Sequence, residues 1–184
     1  MSEKIFIDAK QLLKDSFQLA MNIYKSGYKP NYIIGLLRGG TPIAIAIHEV
    51  FEYFNIKCNH MPIKTSSYYE IGIHDLDVQI VGLSNIIRDI NVDDNILIID
   101  DIFDTGLTMD KISNILNVCC KNIKIATMYF KPKNNKTIMV PDYYLYETDK
   151  WVVFPHELVG LTEDEIIKNK SDIGSILFSD DFFK

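Results

Sequence analysis

Residues 96–110 read ILIIDDIFDTGLTMD, and the residue types in that order can do chemistry. Two adjacent carboxylates, Asp100 and Asp101, stand directly after an aliphatic run. A third, Asp104, follows, and Thr105, Gly106, Leu107 and Thr108 lead into apolar positions at helical spacing, Ile112, Ile115, Leu116 and Cys119. Gly106 lets the backbone approach a ligand closely. The amides of residues 105–108 would open a helix, where unpaired N–H groups and the helix dipole favour a phosphate. Thr105 and Thr108 add hydroxyls. Paired carboxylates repel a bare phosphate, so Asp100 and Asp101 suit sugar hydroxyls or a hydrated divalent cation. The segment is therefore expected to seat a phosphorylated sugar, with Asp104 placed to accept or return a proton at whatever is joined to it. An isolated D-T-G-x-T reads equally as a plain helix cap.

Such a loop needs a strand and a helix to hold it. Residues 96–99 form a short, β-branched apolar run that suits a strand buried on both faces of a parallel sheet, ending abruptly at the acidic pair. Residues 32–37 form a second such strand, which also runs into a glycine loop, Arg38-Gly39-Gly40. Thr41 then caps a helix to about residue 54, with Pro42 in its first turn. A strand-RGG-helix junction can offer amides and a guanidinium to a diphosphate. Upstream, residues 8–26 have the period of an amphipathic helix capped by Asp8 and ended by Gly27. Its apolar face would hold Leu12, Leu13, Phe17, Ala20, Ile23 and Tyr24, with Asp15 on the polar face. Further strands are expected over 56–64, 78–83, 123–130 and 142–147, with a plain surface hairpin across 72–92. The strand at 123–130 delivers Lys131 to the edge where open α/β sheets bind ligands. Thr162 and Glu165 form a capping box for a short helix to about residue 170, and the tail after it has no clear period.

The chain has 184 residues, 47% of them hydrophobic, which fits one domain with a sizeable core. No segment has the apolar length of a membrane span, and the opening residues lack a signal pattern, so a cytoplasmic location without a membrane partner is expected. The net charge of −6 disfavours nucleic-acid binding, which needs a basic footprint. Cys58, Cys119 and Cys120 lack metal-ligand spacing and read as reduced thiols. Alternating strands and helices, with both glycine loops after strands, give an α/β fold with a mainly parallel twisted sheet flanked by helices.

The string from the aliphatic strand through DDIFDTGLT resembles the phosphoribosyl pyrophosphate (PRPP) signature of the type I phosphoribosyltransferases. An Asp at the position of Asp104 is similar to the enzymes for 6-oxopurines, namely hypoxanthine, guanine and xanthine. The resemblance implies a Mg2+-dependent transfer of the phosphoribosyl group to such a base, and a small base-binding hood over residues 141–160. Asp100 and Asp101 would hold ribose and the metal's waters, while Thr105, Gly106, Leu107 and Thr108 hold the 5-phosphate. LLRGG resembles the pyrophosphate loop, placing Arg38 and Gly39 on pyrophosphate, and relatives often hold a non-proline cis peptide there. Ser66, Ser67 and Tyr68 resemble the catalytic flap, expected over 64–78. By the same resemblance Asp104 is the general base and Lys131 contacts the 6-oxo group. Trp151 stacks on the base beside the backbone of Val152, and Glu157 joins the metal ligands. A homo-oligomer, dimer or tetramer, is implied. One departure stands out: some relatives supply a late arginine to pyrophosphate, and this chain has only Arg38 and Arg88. A phosphoribosyltransferase for another base, or a PRPP-sensing RNA-binding regulator of the same fold, is the alternative reading.

Overall fold

The computed structural model describes residues 3–67 and 78–178. In chain order the elements are β1 (Lys4–Phe6), α1 (Ala9–Lys25), β2 (Tyr32–Leu37), α2 (Gly40–Tyr53), β3 (Asn59–Ser67), β4 (Val78–Val81) and α3 (Leu83–Asp89). There follow β5 (Asn95–Phe103), α4 (Leu107–Leu116), β6 (Asn122–Phe130), β7 (Tyr143–Glu147), β8 (Trp151–Val153), α5 (Glu163–Asn169) and α6 (Ser171–Leu177). They make two compact units, residues 13–149 and residues 1–12 with 150–184.

The larger unit is built on a six-stranded sheet in the order β4-β3-β2-β5-β6-β7. All neighbours run parallel except β3 and β4. The aliphatic runs place one set of side chains on each face. Ile34, Leu36, Ile96 and Ile98 face a core completed by Leu83 and Ile86 of α3 and Met109, Ile112 and Leu116 of α4. On the other face Gly35 lies against Ala44 of α2, whose Ile43, Ile47 and Phe51 are fully buried. Each isoleucine buried this way contributes about 1.5–3 kcal/mol of transfer free energy. Chain order reverses between β2 and β5: β3 follows β2 on one side and β6 follows β5 on the other. That is the topological switch point of an open α/β sheet, and ligands of such sheets bind at the carboxyl ends of the strands beside it.

Several local expectations are corrected. β5 does not end at Ile99. It pairs with β2 only as far as Gly35↔Ile99, but with β6 as far as Phe103↔Phe130, so the acidic pair lies within a strand bonded on one side. Thr41 is not a cap. Gly39 is the N-cap of α2, without a side-chain bond, and Thr41 lies inside the helix with its hydroxyl donating to the Leu36 carbonyl at 3.4 Å. In α1 Asp8 does cap, accepting from the Gln11 amide at 2.7 Å, and Gly27 ends the helix at φ +85°. The buried face is rotated, however. Leu12, Asp15, Ser16, Leu19, Ala20 and Ile23 are buried at i, i+3, i+4, i+7, i+8 and i+11, while Leu13 and Phe17 are 54% and 41% exposed. Tyr24 turns aside to stack on Phe54 at 4.3 Å. The strand expected from 56 begins at Asn59. The span expected as a plain surface hairpin contains α3, because Leu83, Ile86 and Ile90 are apolar at helical spacing and fill the core.

In the smaller unit β1 and β8 pair in parallel, Ile5 opposite Val152. The Thr162–Glu165 capping box is formed reciprocally, and the tail expected without a period begins as α6. Within the span 141–160 expected to form a hood, Tyr143–Glu147 is the strand expected over 142–147 and lies at the edge of the large sheet, and the smaller unit takes up the chain at 150. All three cysteines are free thiols. Among the described residues no helix is long and apolar enough to cross a membrane.

Candidate active site

Both glycine loops flank the switch point. The peptide between Leu37 and Arg38, within the LLRGG loop, is cis, and Arg38 is exposed. The loop then runs directly onto the end of β5. A Cβ on Gly39 would lie 1.7 Å from Asp101 Oδ2, and one on Gly40 2.3 Å from the Ile99 carbonyl oxygen. The lack of a side chain at both positions allows this approach, and it brings the RGG loop against the acidic pair.

Asp101 is buried, and its amide donates to Asp100 Oδ1 at 2.9 Å. Burial first, and then the neighbouring Asp101 charge, holds the Asp100 carboxyl well above the usual carboxylate range. Asp100 makes no ion pair among the described residues. Adjacent hard oxygen donors on Asp100 and Asp101 fit a divalent ion of the Mg2+ kind.

Beyond Phe103 the chain bends through Asp104, Thr105 and Gly106. Gly106, at φ +78°, is the N-cap of α4, so the amides of Leu107 and Thr108 open a ten-residue helix. Lys131 follows β6 on the neighbouring strand. Its amide donates to the Phe103 carbonyl at 2.9 Å and its ammonium lies 3.4 Å from Asp104 Oδ2. The lysine side chain is 10% exposed and the aspartate 42%. A cation is thus buried at a strand end with a more accessible carboxylate beside it. Asp100, Asp101, Asp104, Thr105, Gly106, Leu107, Thr108, Lys131, Arg38 and Gly39 all lie in the larger unit, at the carboxyl ends of β2, β5 and β6.

Ser66 and Ser67 end β3, their backbones opposite Gln79 and Val78, and Tyr68 lies outside the described residues. Lys64 is exposed and in register with Leu37, next to Arg38. Arg88 is turned onto its own helix, donating to the Ser84 carbonyl and the Asn85 side chain. In the smaller unit Trp151 is 39% exposed, with the Lys4 ammonium 4.5 Å over its ring and Gly160 against its edge. Lys4 is held there by Glu165 at 2.7 Å, and its hydrogen bond lowers the Glu165 pKa. Glu157 Oε2 accepts from the Phe154 amide at 3.0 Å.

Three groups escape a reading of the sequence. Lys170 donates to the carbonyls of Phe154, Pro155 and Glu157 at 2.6, 3.0 and 2.7 Å, winding that turn around one ammonium whose pKa is lowered by desolvation. Lys4 is a second. Asn134 is the third, donating to Asp104 Oδ1 at 2.9 Å. A signal for it exists in Lys131-Pro132-Lys133-Asn134, a turn tetrad with proline at its second position.

The fold and this arrangement define an α/β domain suited to a phosphorylated sugar: helix-start amides, an acidic pair and a carboxylate–lysine pair at one sheet edge. Residues 4–161 match the phosphoribosyl transferase domain model. The chain is 27% identical over 183 residues to the hypoxanthine-guanine phosphoribosyltransferase of Lactococcus lactis, covering 94% of this chain and 90% of that one. It is 34% identical over 126 residues to the adenine phosphoribosyltransferase of Halothermothrix orenii, 61% and 69% of the two chains. The crystal structure of a purine phosphoribosyltransferase from Pyrococcus horikoshii superposes with a TM-score of 0.68 at 30% identity, covering 86% of this chain and 97% of that one. The chain belongs to the phosphoribosyl transferase family.

Proposed function

We propose that the protein transfers the phosphoribosyl group of PRPP to a 6-oxopurine base, hypoxanthine, guanine or xanthine, releasing pyrophosphate. The observation that carries this reading is the Lys131 ammonium beside Asp104. Lysine has donors only, so it suits an exocyclic oxygen and opposes the 6-amino group of adenine, which needs an acceptor there. The Asp104 carboxylate suits the ring N–H that must lose its proton.

In this reading Asp100 and Asp101 hold the ribose, the amides and hydroxyls of residues 105–108 hold the 5-phosphate, and Arg38 and Gly39 grip the pyrophosphate. As the bond from the purine's imidazole nitrogen to the anomeric carbon forms, the bond to pyrophosphate breaks, and the electron pair leaves with the pyrophosphate. Asp104 takes the proton released by that nitrogen, and Lys131 stabilises charge gathering on the 6-oxo group. Asp100 and Asp101, with Glu157 as a further ligand by resemblance, would hold Mg2+, which would neutralise charge on the leaving group. By resemblance Trp151 stacks on the base, with the Val152 backbone beside it. A flap over 64–78 containing Ser66, Ser67 and Tyr68, of which residues 68–77 lie outside the described ones, a base-binding hood over residues 141–160, and a cytoplasmic homo-oligomer complete the reading.

Turnover of hypoxanthine, guanine, xanthine, adenine and uracil with PRPP and Mg2+ tests it. At least one 6-oxopurine is expected to be used and adenine to stay at background; preference for adenine would overturn the base assignment. Asp104→Asn is expected to lower kcat by ~10²–10⁴ while calorimetry still detects PRPP binding.

A further inference from the structure

Asp104 is gripped from one turn. The Asn134 amide donates to the Lys131 carbonyl at 3.2 Å, closing a turn in which Pro132 fixes the second position. The first and fourth residues of that turn both reach the same carboxylate: Lys131 lies 3.4 Å from Oδ2, and Asn134 donates to Oδ1 at 2.9 Å. A carboxylate only accepts, so the Asn134 amide must present its NH2 group. The 3.4 Å ion pair is longer than a charge-assisted hydrogen bond, whereas the amide contact has full hydrogen-bond length.

The same loop is latched to the phosphate-loop backbone. The Lys136 amide donates to the Thr105 carbonyl at 2.9 Å. Asn135 Oδ1 accepts from the Thr137 amide and hydroxyl, both at 2.9 Å, and Asn135 Nδ2 donates to the Met139 carbonyl at 2.7 Å. This folded loop sits on Gly106, where a Cβ would meet Thr137 Oγ1 at 2.7 Å and Asn135 Oδ1 at 2.8 Å. Asn134 is therefore the tip of a braced structure rather than a free surface side chain.

We propose that Asn134 is a positioning residue for Asp104, a role that rests on Asp104 being the general base. Its N–H occupies Oδ1 in both protonation states, as a carboxylate oxygen before proton transfer and as the C=O of the neutral acid after it. The proton leaving the purine nitrogen is thereby directed to Oδ2: the N–H bond breaks, the Oδ2–H bond forms, and the Lys131 contact to that oxygen is given up as the carboxylate is neutralised. Without the amide only the longer Lys131 contact remains, and the carboxyl turns about its last bond.

The test compares wild type, Asn134→Ala, Asn134→Asp and Asp104→Asn by kcat and kcat/KM for the base against pH, with PRPP binding by calorimetry. Asn134→Ala is expected to lower kcat about tenfold or more through misplacement of the base, with PRPP affinity unchanged. Asn134→Asp keeps the shape and sets a like charge against Asp104. It is expected to move the acid limb of the kcat/KM profile to higher pH, which a residue out of contact with the base would not do. Wild-type kcat and superimposable pH profiles in both variants would overturn the proposal. If Asp104→Asn loses turnover while those variants do not, only the positioning role falls. If Asp104→Asn keeps full turnover, the general-base reading falls and takes this role with it.

Discussion

At the β2–α2 junction Gly39 has φ −68°, an angle open to any residue, whereas at the β5–α4 junction Gly106 has φ +78°. Both junctions present the same pattern in sequence, an aliphatic strand, a glycine and a helix, and in both the glycine is the N-cap. The first uses glycine for its missing volume, since a Cβ on Gly39 or Gly40 would run into Asp101 or the β5 backbone. The second uses it chiefly for its backbone freedom. One loop is shaped by what lies behind it, the other by the turn it must make.

The sharpest way to break this contrast is Gly40→Ala. The new methyl would lie 2.3 Å from the Ile99 carbonyl oxygen and 2.8 Å from the Asp100 Cα, backbone of a central strand that cannot step aside. A loss of about 3 kcal/mol or more in urea unfolding is expected, at the upper end of overpacking costs. At Gly39 the clash is nominally closer, but the obstacle is the Asp101 carboxylate, which can rotate. Gly39→Ala should therefore lose PRPP affinity in calorimetry before it loses its fold. Equal destabilisation by the two would mean that Asp101 is as rigid as the strand.

Gly106→Ala comes next in size. The left-handed conformation costs a residue with a Cβ about 1–2 kcal/mol, and the added methyl must also displace the side chains of Asn135 and Thr137. Equilibrium unfolding measures the loss. Gly106→Asn, better tolerated at positive φ, should recover part of it, and no recovery would shift the explanation from backbone angle to crowding.

The parts of the fold legible in the sequence are those written by one local rule. β2 and β5 announce themselves as buried β-branched runs, α2 as an apolar helix, and α5 by its capping box. The parts that are not legible depend on partners distant in sequence. β5 continues through Asp100 to Phe103 because β6 is longer than β2, a fact about neighbours rather than about the acidic residues themselves. The buried face of α1 departs from the expected one because the helix carries two apolar stripes, and packing buries the one that includes Asp15 and Ser16. At the site, the order of acids, threonines and glycine places Asp104 on a loop before a helix, while Asn134 stays hidden. An asparagine in a polar loop carries no hydropathy signal, and only the register of β5 against β6 sets it opposite Asp104.

The contrast between the junctions extends to charge. The RGG loop brings a guanidinium to the edge of the sheet, while the β5 end carries the Asp100 carboxyl, whose pKa burial raises. For such an acid the sign is fixed: the unfolded chain ionises at about pH 3.9, the folded chain only at higher pH. Below the unfolded value the group is neutral in both states and has no effect. As pH rises from there to the raised folded value the native state loses stability, and above it the penalty is constant. Asp100→Asn removes the ionisation but keeps an oxygen that can accept from the Asp101 amide. The variant is therefore expected to melt at a higher temperature than wild type at about pH 7, to match it near about pH 3.5, and to bind PRPP with Mg2+ more weakly. A lower melting temperature at neutral pH would show that the Asp100 charge is already compensated within the fold, and the electrostatic case for a divalent cation at the end of β5 would go with it.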